Sequence, residues 1–239
     1  MSNNYRTLKD AETLQRIFGV PLPEGSWKPD VYPGYDAPII RRPHGSEPGQ
    51  REAVVARFSL LPWWAKSEKL TFSTMNARTE TVSTAASYKG PVKQHQWCIV
   101  PAECFYEPYY GPGSTKSERW AIRRADGEPL GIAGLWERWM GKGDDGAEVL
   151  SFTLLTINAD HHPLLQRFHK PLKADGSPNE KRSVVLIRPD QFDAWLNTTP
   201  DRAADYFGTL SAEELAAEPA AAVPVKVTAG RGEAQPTQE

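Results

Sequence analysis

The sequence predicts a single α+β domain, mostly antiparallel β-sheet in a barrel-like arrangement, with a few short helices. Three observations carry this. Segments with the apolar, period-two character of strands outnumber helical ones. They do not alternate with helices in the manner of a doubly wound parallel sheet. No internal repeat or compositional break divides the 239 residues, and a hydrophobic content of 39% suffices for one large core.

The elements follow in order. Thr7 to Phe18 reads as a helix that Thr7 caps, with Leu8, Leu14, Ile17 and Phe18 on one face. Residues 21–51 are rich in Pro and Gly and read as an ordered irregular region holding one short strand, Ala37 to Ile40. Ala53 to Leu61 alternates as a strand and stops at Pro62-Trp63-Trp64. Gln96 to Pro101 is a strand that continues after a bend as Glu103 to Tyr106. Trp120 to Arg124, Leu130 to Trp139 and Val149 to Ile157 are three more, joined by a turn at Asp126-Gly127 and a loop at Gly141 to Gly146. Val184 to Ile187 is a strand, Pro189 to Leu196 a short helix, Ser211 to Glu218 a second helix with a serine cap, and Val223 to Val227 a last strand. The domain is expected over residues 1–229, with 230–239 a disordered tail.

The formal net charge of -2 gives no global basic excess, although a sum can hide a local basic groove. No apolar run approaches the roughly 20 residues that span a membrane, and Arg6, Lys9, Asp10 and Glu12 interrupt any signal-like segment. Two cysteines do not make a disulfide framework. A reduced cytoplasmic setting is expected, nucleoid-associated in a bacterium, with no membrane partner and a monomeric chain.

Several constellations could carry chemistry. In Asn76-Ala77-Arg78 an amide that donates and accepts precedes a guanidinium fork suited to phosphate; the bland reading pairs Arg78 with Glu80. Glu107 lies among apolar groups in Phe105-Tyr106-Glu107-Pro108, where desolvation raises a carboxyl pKa towards that of a proton shuttle; Glu103 is its local competitor. His161, His162 and His169, with Cys98 and Cys104, raise the question of zinc. The two cysteines stand six apart among bulky apolar residues, a poor ligand spacing, and no metal or cofactor is expected. There is no Gly-x-Ser-x-Gly elbow, phosphate loop or dinucleotide fingerprint. Adjacent Trp63 and Trp64 cannot point the same way from an extended strand, so one suits the core and the other stacking on a base. Arg41, Arg42, Arg57, Lys66, Lys69 and Arg78 supply positive charge in the same half of the chain.

Three segments in order, Asn76-Ala77-Arg78-Thr79-Glu80-Thr81, Cys98 to Glu107 and Ala133-Gly134-Leu135-Trp136-Glu137, resemble the SOS-response-associated peptidase (SRAP), or abasic-site processing, family over nearly the whole chain. The resemblance implies that Asn76, Glu107 and a histidine, best matched by His169 with His161 and His162 as fallbacks, line an active site. It implies that Arg78 contacts DNA phosphate, with Trp63, Trp64, Arg41 and Lys66 along the DNA path. Such proteins act on abasic sites in single-stranded DNA, especially at fork-like junctions. Their freed N-terminal Cys forms an imine with the sugar aldehyde and then a thiazolidine crosslink. Here position 2 is Ser2. The departure reads first as a replaced cysteine, and second as a natural member lacking the stable crosslink. A noncatalytic protein that shields DNA ends or junctions is the alternative function.

Overall fold

The structure, a computed structural model, describes residues 3–43, 45–141, 146 and 148–221. Its strands, in chain order, are β1 (Tyr5–Thr7), β2 (Asp30–Val31), β3 (Asp36–Arg41), β4 (Glu52–Phe58), β5 (Asn76–Arg78), β6 (Trp97–Tyr109), β7 (Glu118–Arg124), β8 (Leu130–Met140), β9 (Glu148–Asn158), β10 (Arg182–Val184), β11 (Leu186–Ile187) and β12 (Leu215–Pro219). The helices are short: α1 (Ala11–Thr13), running on into a wider turn over Leu14–Phe18, α2 (Lys89–Lys93) and α3 (Phe192–Leu196).

Five strands close a barrel in the order β8, β9, β4, β3, β6, and β6 meets β8 again to complete the ring. Most pairs are antiparallel; β4 and β5 run parallel to β9. The closed ring removes the open edges that a five-strand sheet would otherwise present. The remaining strands extend it: β1 and β7 pair with β6, and β10 continues from β9.

Period-two alternation along β6 builds two apolar layers at once. Cys98, Val100 and Ala102 join the barrel interior with Phe58, Phe152 and Ile132. Trp97 and Ile99 face the outer layer under the helices, with Phe18, Phe192 and Trp195. Trp195 donates its indole N–H to the Cys98 carbonyl at 2.9 Å, and Trp97 donates to the Thr198 carbonyl at 2.9 Å, so both buried rings are satisfied.

The bend expected within the Cys98 to Glu107 segment is a β-bulge. Arg6 pairs with Cys104 and Thr7 with Ala102, which leaves Glu103 as the extra residue. One extra residue reverses the phase of everything beyond it. Phe105 therefore enters the interior, and Glu107, two residues on, follows it inward, while Cys104 and Tyr106 turn to the outer face.

Three expectations are corrected. Thr7 belongs to β1, and the following helix is capped by Asp10, whose carboxylate accepts from the Thr13 N–H at 2.8 Å. Ser211 does begin a helical turn, with a reciprocal Ser211–Glu214 cap, but the turn ends at Glu214 and the chain continues as strand β12 against β7. Leu215-Ala216-Ala217 are good helix formers, but pairing with free β7 backbone groups overrides that local preference. The strand Ala53 to Leu61 stops at Phe58, where Ser59 takes a positive φ of 95 degrees. The sequence reading gave no sign of β1, β2 or α2. The expected strand Val223 to Val227, the expected tail 230–239 and part of the Gly141 to Gly146 loop lie outside the described residues.

The glycine of Ala133-Gly134-Leu135-Trp136 has a steric cause. It sits on the closing seam, opposite Cys98 and Leu154, and a Cβ there would lie 2.5 Å from the Thr153 carbonyl oxygen and 2.9 Å from Cys98 Sγ. Backbone cannot give way cheaply, so Gly134→Ala is expected to destabilise the fold by about 2 kcal/mol, read from the midpoint of a urea unfolding curve.

Candidate active site

Beyond the bulge, Glu107 points into the end of the barrel and is 3% exposed. Its Oε2 lies 3.1 Å from Nε2 of His169, itself 8% exposed. His169 reaches this place through the backbone. Phe168 forms an isolated bridge with Tyr109, and the His169 N–H donates to the Pro108 carbonyl at 2.7 Å. The histidine takes a left-handed φ of 66 degrees, a conformation that costs energy for a residue with a Cβ and that the surrounding bonds hold in place.

Nε2 of His169 also lies 3.1 Å from the Arg182 carbonyl. A carbonyl only accepts, so Nε2 carries the hydrogen. Burial pushes the His169 pKa down to about 4, with the Lys181 charge in the same direction and the bond to Arg182 opposing it. At neutral pH the ring is thus neutral, and its 3.1 Å approach to Glu107 is a contact between an uncharged imidazole and a carboxyl rather than an ion pair.

Arg182 is the next link. Its guanidinium is 4% exposed and gives two bonds to Glu80, at 2.6 and 2.9 Å, one to Glu180 at 2.8 Å and one to the Thr156 carbonyl at 2.7 Å. Arg78, at the end of β5 beside Thr156, bonds both oxygens of Glu180 at 2.9 and 2.8 Å. The expected Arg78–Glu80 pair is therefore corrected: Glu80 holds Arg182, and Glu180, over a hundred residues further along, holds Arg78. Asn76 lies two residues before Arg78 on the same strand, half-buried, and its carbonyl accepts from the Tyr88 hydroxyl at 3.0 Å. Burial raises the Tyr88 phenol to about 12, which keeps it a donor.

The N-terminal segment is anchored on the outer face of the same strand. Asn4, 4% exposed, accepts from the Tyr106 N–H through its carbonyl at 2.9 Å and donates to the Val31 carbonyl at 3.0 Å. Its side-chain oxygen accepts from Arg119 at 2.6 Å. Arg119 lies 3.3 Å over the Tyr106 ring, and the Tyr106 hydroxyl donates to Asp30 at 3.1 Å. Tyr106 and Glu107 are neighbours on β6, so residue 4 and the buried carboxyl are fixed to adjacent positions of one strand. Ser2 lies outside the described residues. A cavity of about 710 Å³ opens on this outer face beside Cys104, Tyr106 and Arg119, and neither Glu107 nor His169 lines it.

The other expected residues fall as follows. His161 is exposed; His162 accepts from the Leu164 and Leu165 N–H groups at 3.2 and 3.1 Å and its other nitrogen meets the Leu210 carbonyl, a local structural role. His169 is the histidine that meets Glu107. Trp63 is 62% exposed, and Trp64, 36% exposed, stacks on Phe72 with ring centres 6.0 Å apart. Neither enters the core, because the chain leaves its strand at Phe58. Lys66 is exposed. Arg41 pairs with Glu52 at 2.8 Å and lies 4.2 Å over the Trp136 ring. Cys98 and Cys104 are buried, which raises both thiol pKa values and removes them as ready nucleophiles. Among the described residues no three His, Cys, Asp or Glu side chains come together as a metal site, and no helix is long and apolar enough to cross a membrane. Asn4, Arg119, Glu180 and Arg182 were missed by the sequence reading. Arg182 alone carried a signal, as a cation opening an apolar strand.

The barrel thus carries a buried carboxyl and imidazole side by side, with Arg182 bonded to the same ring through its carbonyl. Residues 1–228 match the SOS response associated peptidase (SRAP) family, and the chain belongs to it. It is 28% identical to the abasic site processing protein YoqW of Bacillus subtilis, over 82% of this chain and 80% of that protein. It is also 28% identical to the abasic site processing protein HMCES of Gallus gallus, over 65% of this chain and 53% of that protein. A crystal structure of a Bordetella bronchiseptica protein is 33% identical, with a TM-score of 0.81 over 92% of this chain and all of that one. A Bacteroides thetaiotaomicron structure, 20% identical with a TM-score of 0.68, shares the fold.

The low His169 pKa has a consequence for stability. Unfolded, the ring binds a proton near 6.5; folded, it resists protonation until about 4. Stability contributed by the neutral ring is complete above the unfolded value and is lost as the pH falls from about 6.5 towards about 4. Between about pH 7 and about pH 5.5 the wild-type chain should lose about 1 kcal/mol more unfolding free energy than His169→Gln, measured by urea titration at each pH.

Proposed function

We propose that the chain binds single-stranded DNA at an abasic site and reacts with the open sugar through the amine of residue 2 after Met1 is removed. One observation carries this reading: Asn4 is fixed to Tyr106, next along β6 to Glu107, which itself meets His169. The two residue steps from Asn4 back to Ser2 extend at most about 7 Å, a reach comparable with the width of one strand pair. Family membership and the names of the relatives supply the substrate class.

The α-amine, with an ordinary pKa of about 8, attacks the C1′ aldehyde to give a carbinolamine. Loss of water then leaves an imine. Glu107 is the proton carrier for both steps, and neutral His169, its Nε2–H held by the Arg182 carbonyl, packs against that carboxyl without adding a charge. In this reading Asn76 positions the sugar, and Arg78 holds a flanking phosphate. Exposed Trp63 and Trp64 offer stacking surfaces to neighbouring bases. With cysteine at position 2, the thiol would add to the imine carbon and close a five-membered ring. The serine hydroxyl is a much poorer nucleophile near neutral pH. The adduct of this chain is therefore a reversible imine, and imine formation also acidifies the C2′ protons, which opens a slow β-elimination with strand cleavage.

The test is incubation with abasic single-stranded DNA and denaturing electrophoresis, with intact mass reporting Met1 removal. Borohydride should trap the Ser2 adduct, and little crosslink should survive heat without it. Ser2→Cys should give a heat-stable crosslink in good yield, and Glu107→Gln should slow adduct formation by roughly a hundredfold. A processed Ser2→Cys protein that binds DNA and forms no stable adduct would leave the noncatalytic, shielding role in place of this one.

Binding is tested separately. Arg78→Ala should weaken retention of a labelled single strand and lower the salt slope by roughly one. An unchanged slope and affinity would remove Arg78 from the phosphate path.

A further inference from the structure

The segment between His169 and Arg182 is a compact loop with its own bonds. Leu172 bridges Pro178, the Lys173 N–H donates to the Ser177 carbonyl at 2.8 Å, and the Asn179 N–H donates to the Pro171 carbonyl at 2.9 Å. Its base is fixed to the site, because Lys181 Nζ donates to the His169 and Lys170 carbonyls at 3.1 and 2.8 Å. The loop thereby delivers one carboxylate, Glu180, to a defined place between two guanidinium groups. Arg78 addresses both of its oxygens through one nitrogen, and Arg182 addresses one.

The two arginines differ in what they have besides Glu180. Arg182 is buried and keeps its bonds to Glu80 and Thr156 if Glu180 leaves. Arg78 has a side chain 47% exposed, and Glu180 supplies its ion pair. A carboxylate and a phosphodiester offer a guanidinium the same thing, two oxygens sharing one negative charge.

We infer that Glu180 is a specificity-determining residue that occupies the Arg78 phosphate subsite with the chain's own carboxylate, so that a DNA phosphate enters only by displacing it. This rests on the proposed DNA-binding role of Arg78. It assigns to Glu180 an opposing role: it repels the incoming phosphate and returns to Arg78 when the strand departs. Binding at this subsite is an exchange of one anion for another, so strands that engage only this subsite are held weakly. The exchange favours ligands that also engage the barrel end.

Binding of a labelled, undamaged single strand to the full chain tests this, because it needs no covalent step. Glu180→Gln keeps the size of the side chain and one acceptor for Arg182 while removing the charge. At low salt it should bind roughly two- to fivefold more tightly than wild type. The gain should shrink as salt rises, since the contact is partly exposed. The gain should also vanish in the Arg78→Ala background, where Glu180 has no subsite to occupy. Glu180→Ala should behave like Glu180→Gln, with thermal melting confirming both are folded.

Equal affinities of wild type and Glu180→Gln would overturn the inference while leaving the DNA-binding reading intact. A gain that persists with Arg78→Ala would overturn it as well, showing an effect of net charge alone. Absence of binding by wild type and variants alike would remove both the inference and the reading on which it rests.

Discussion

Closure of the barrel rests on the pairing of β6 with β8, from Trp97 opposite Leu135 to Ala102 opposite Leu130. The same thirteen-residue β6 also pairs with β1, β3 and β7, so a displacement of this strand is felt by most of the sheet. Close approach at the seam is what excludes a side chain at position 134. The bulge at Glu103 then decides which residues of the far half face inward. Had the alternation of Cys98, Val100 and Ala102 continued unbroken, Cys104 and Tyr106 would have pointed into the barrel and Glu107 into solvent. One unpaired residue thus converts a surface glutamate into a buried one and places its neighbour Tyr106 where it can hold the N-terminal segment.

Burial sets the chemistry at the barrel end. A neutral imidazole beside a carboxyl brings no further full charge into a buried site, and its Nε2–H is taken up by the Arg182 carbonyl. The charged groups around this pair neutralise one another: buried Arg182 with Glu80, and half-exposed Arg78 with Glu180. Pairing the buried Arg182 with carboxylates offsets the desolvation cost of an isolated buried charge.

Much was legible in the sequence because the determining forces are local. Period-two patterning located the principal strands, and Trp195, Phe192 and Leu196 marked the helix they pack from. The ordered motifs identified Asn76, Glu107 and His169 as one set. The structure joins Glu107 to His169 directly and puts Asn76 on the strand that carries Arg78. The errors have physical causes. A capping-box pattern at Thr7 lost to strand pairing with β6, and Leu215 to Pro219 became a strand because β7 offered unpaired backbone groups. Expecting one of two adjacent Trp side chains inside assumed a strand where the chain had already turned out.

Strand phase, turn chemistry and apolar content are properties of neighbouring residues, and the sequence by itself determined the α+β class, the largely antiparallel sheet and the identity of the motif residues. The partners of those residues were decided only by tertiary structure. Arg78 meets Glu180 rather than Glu80, His169 meets Glu107, and Asn4 meets Arg119 across separations of tens to over a hundred residues. Such contacts depend on where closure of the barrel brings distant segments, and on the bulge that sets their facing. Neither is encoded in the spacing of the residues that finally touch.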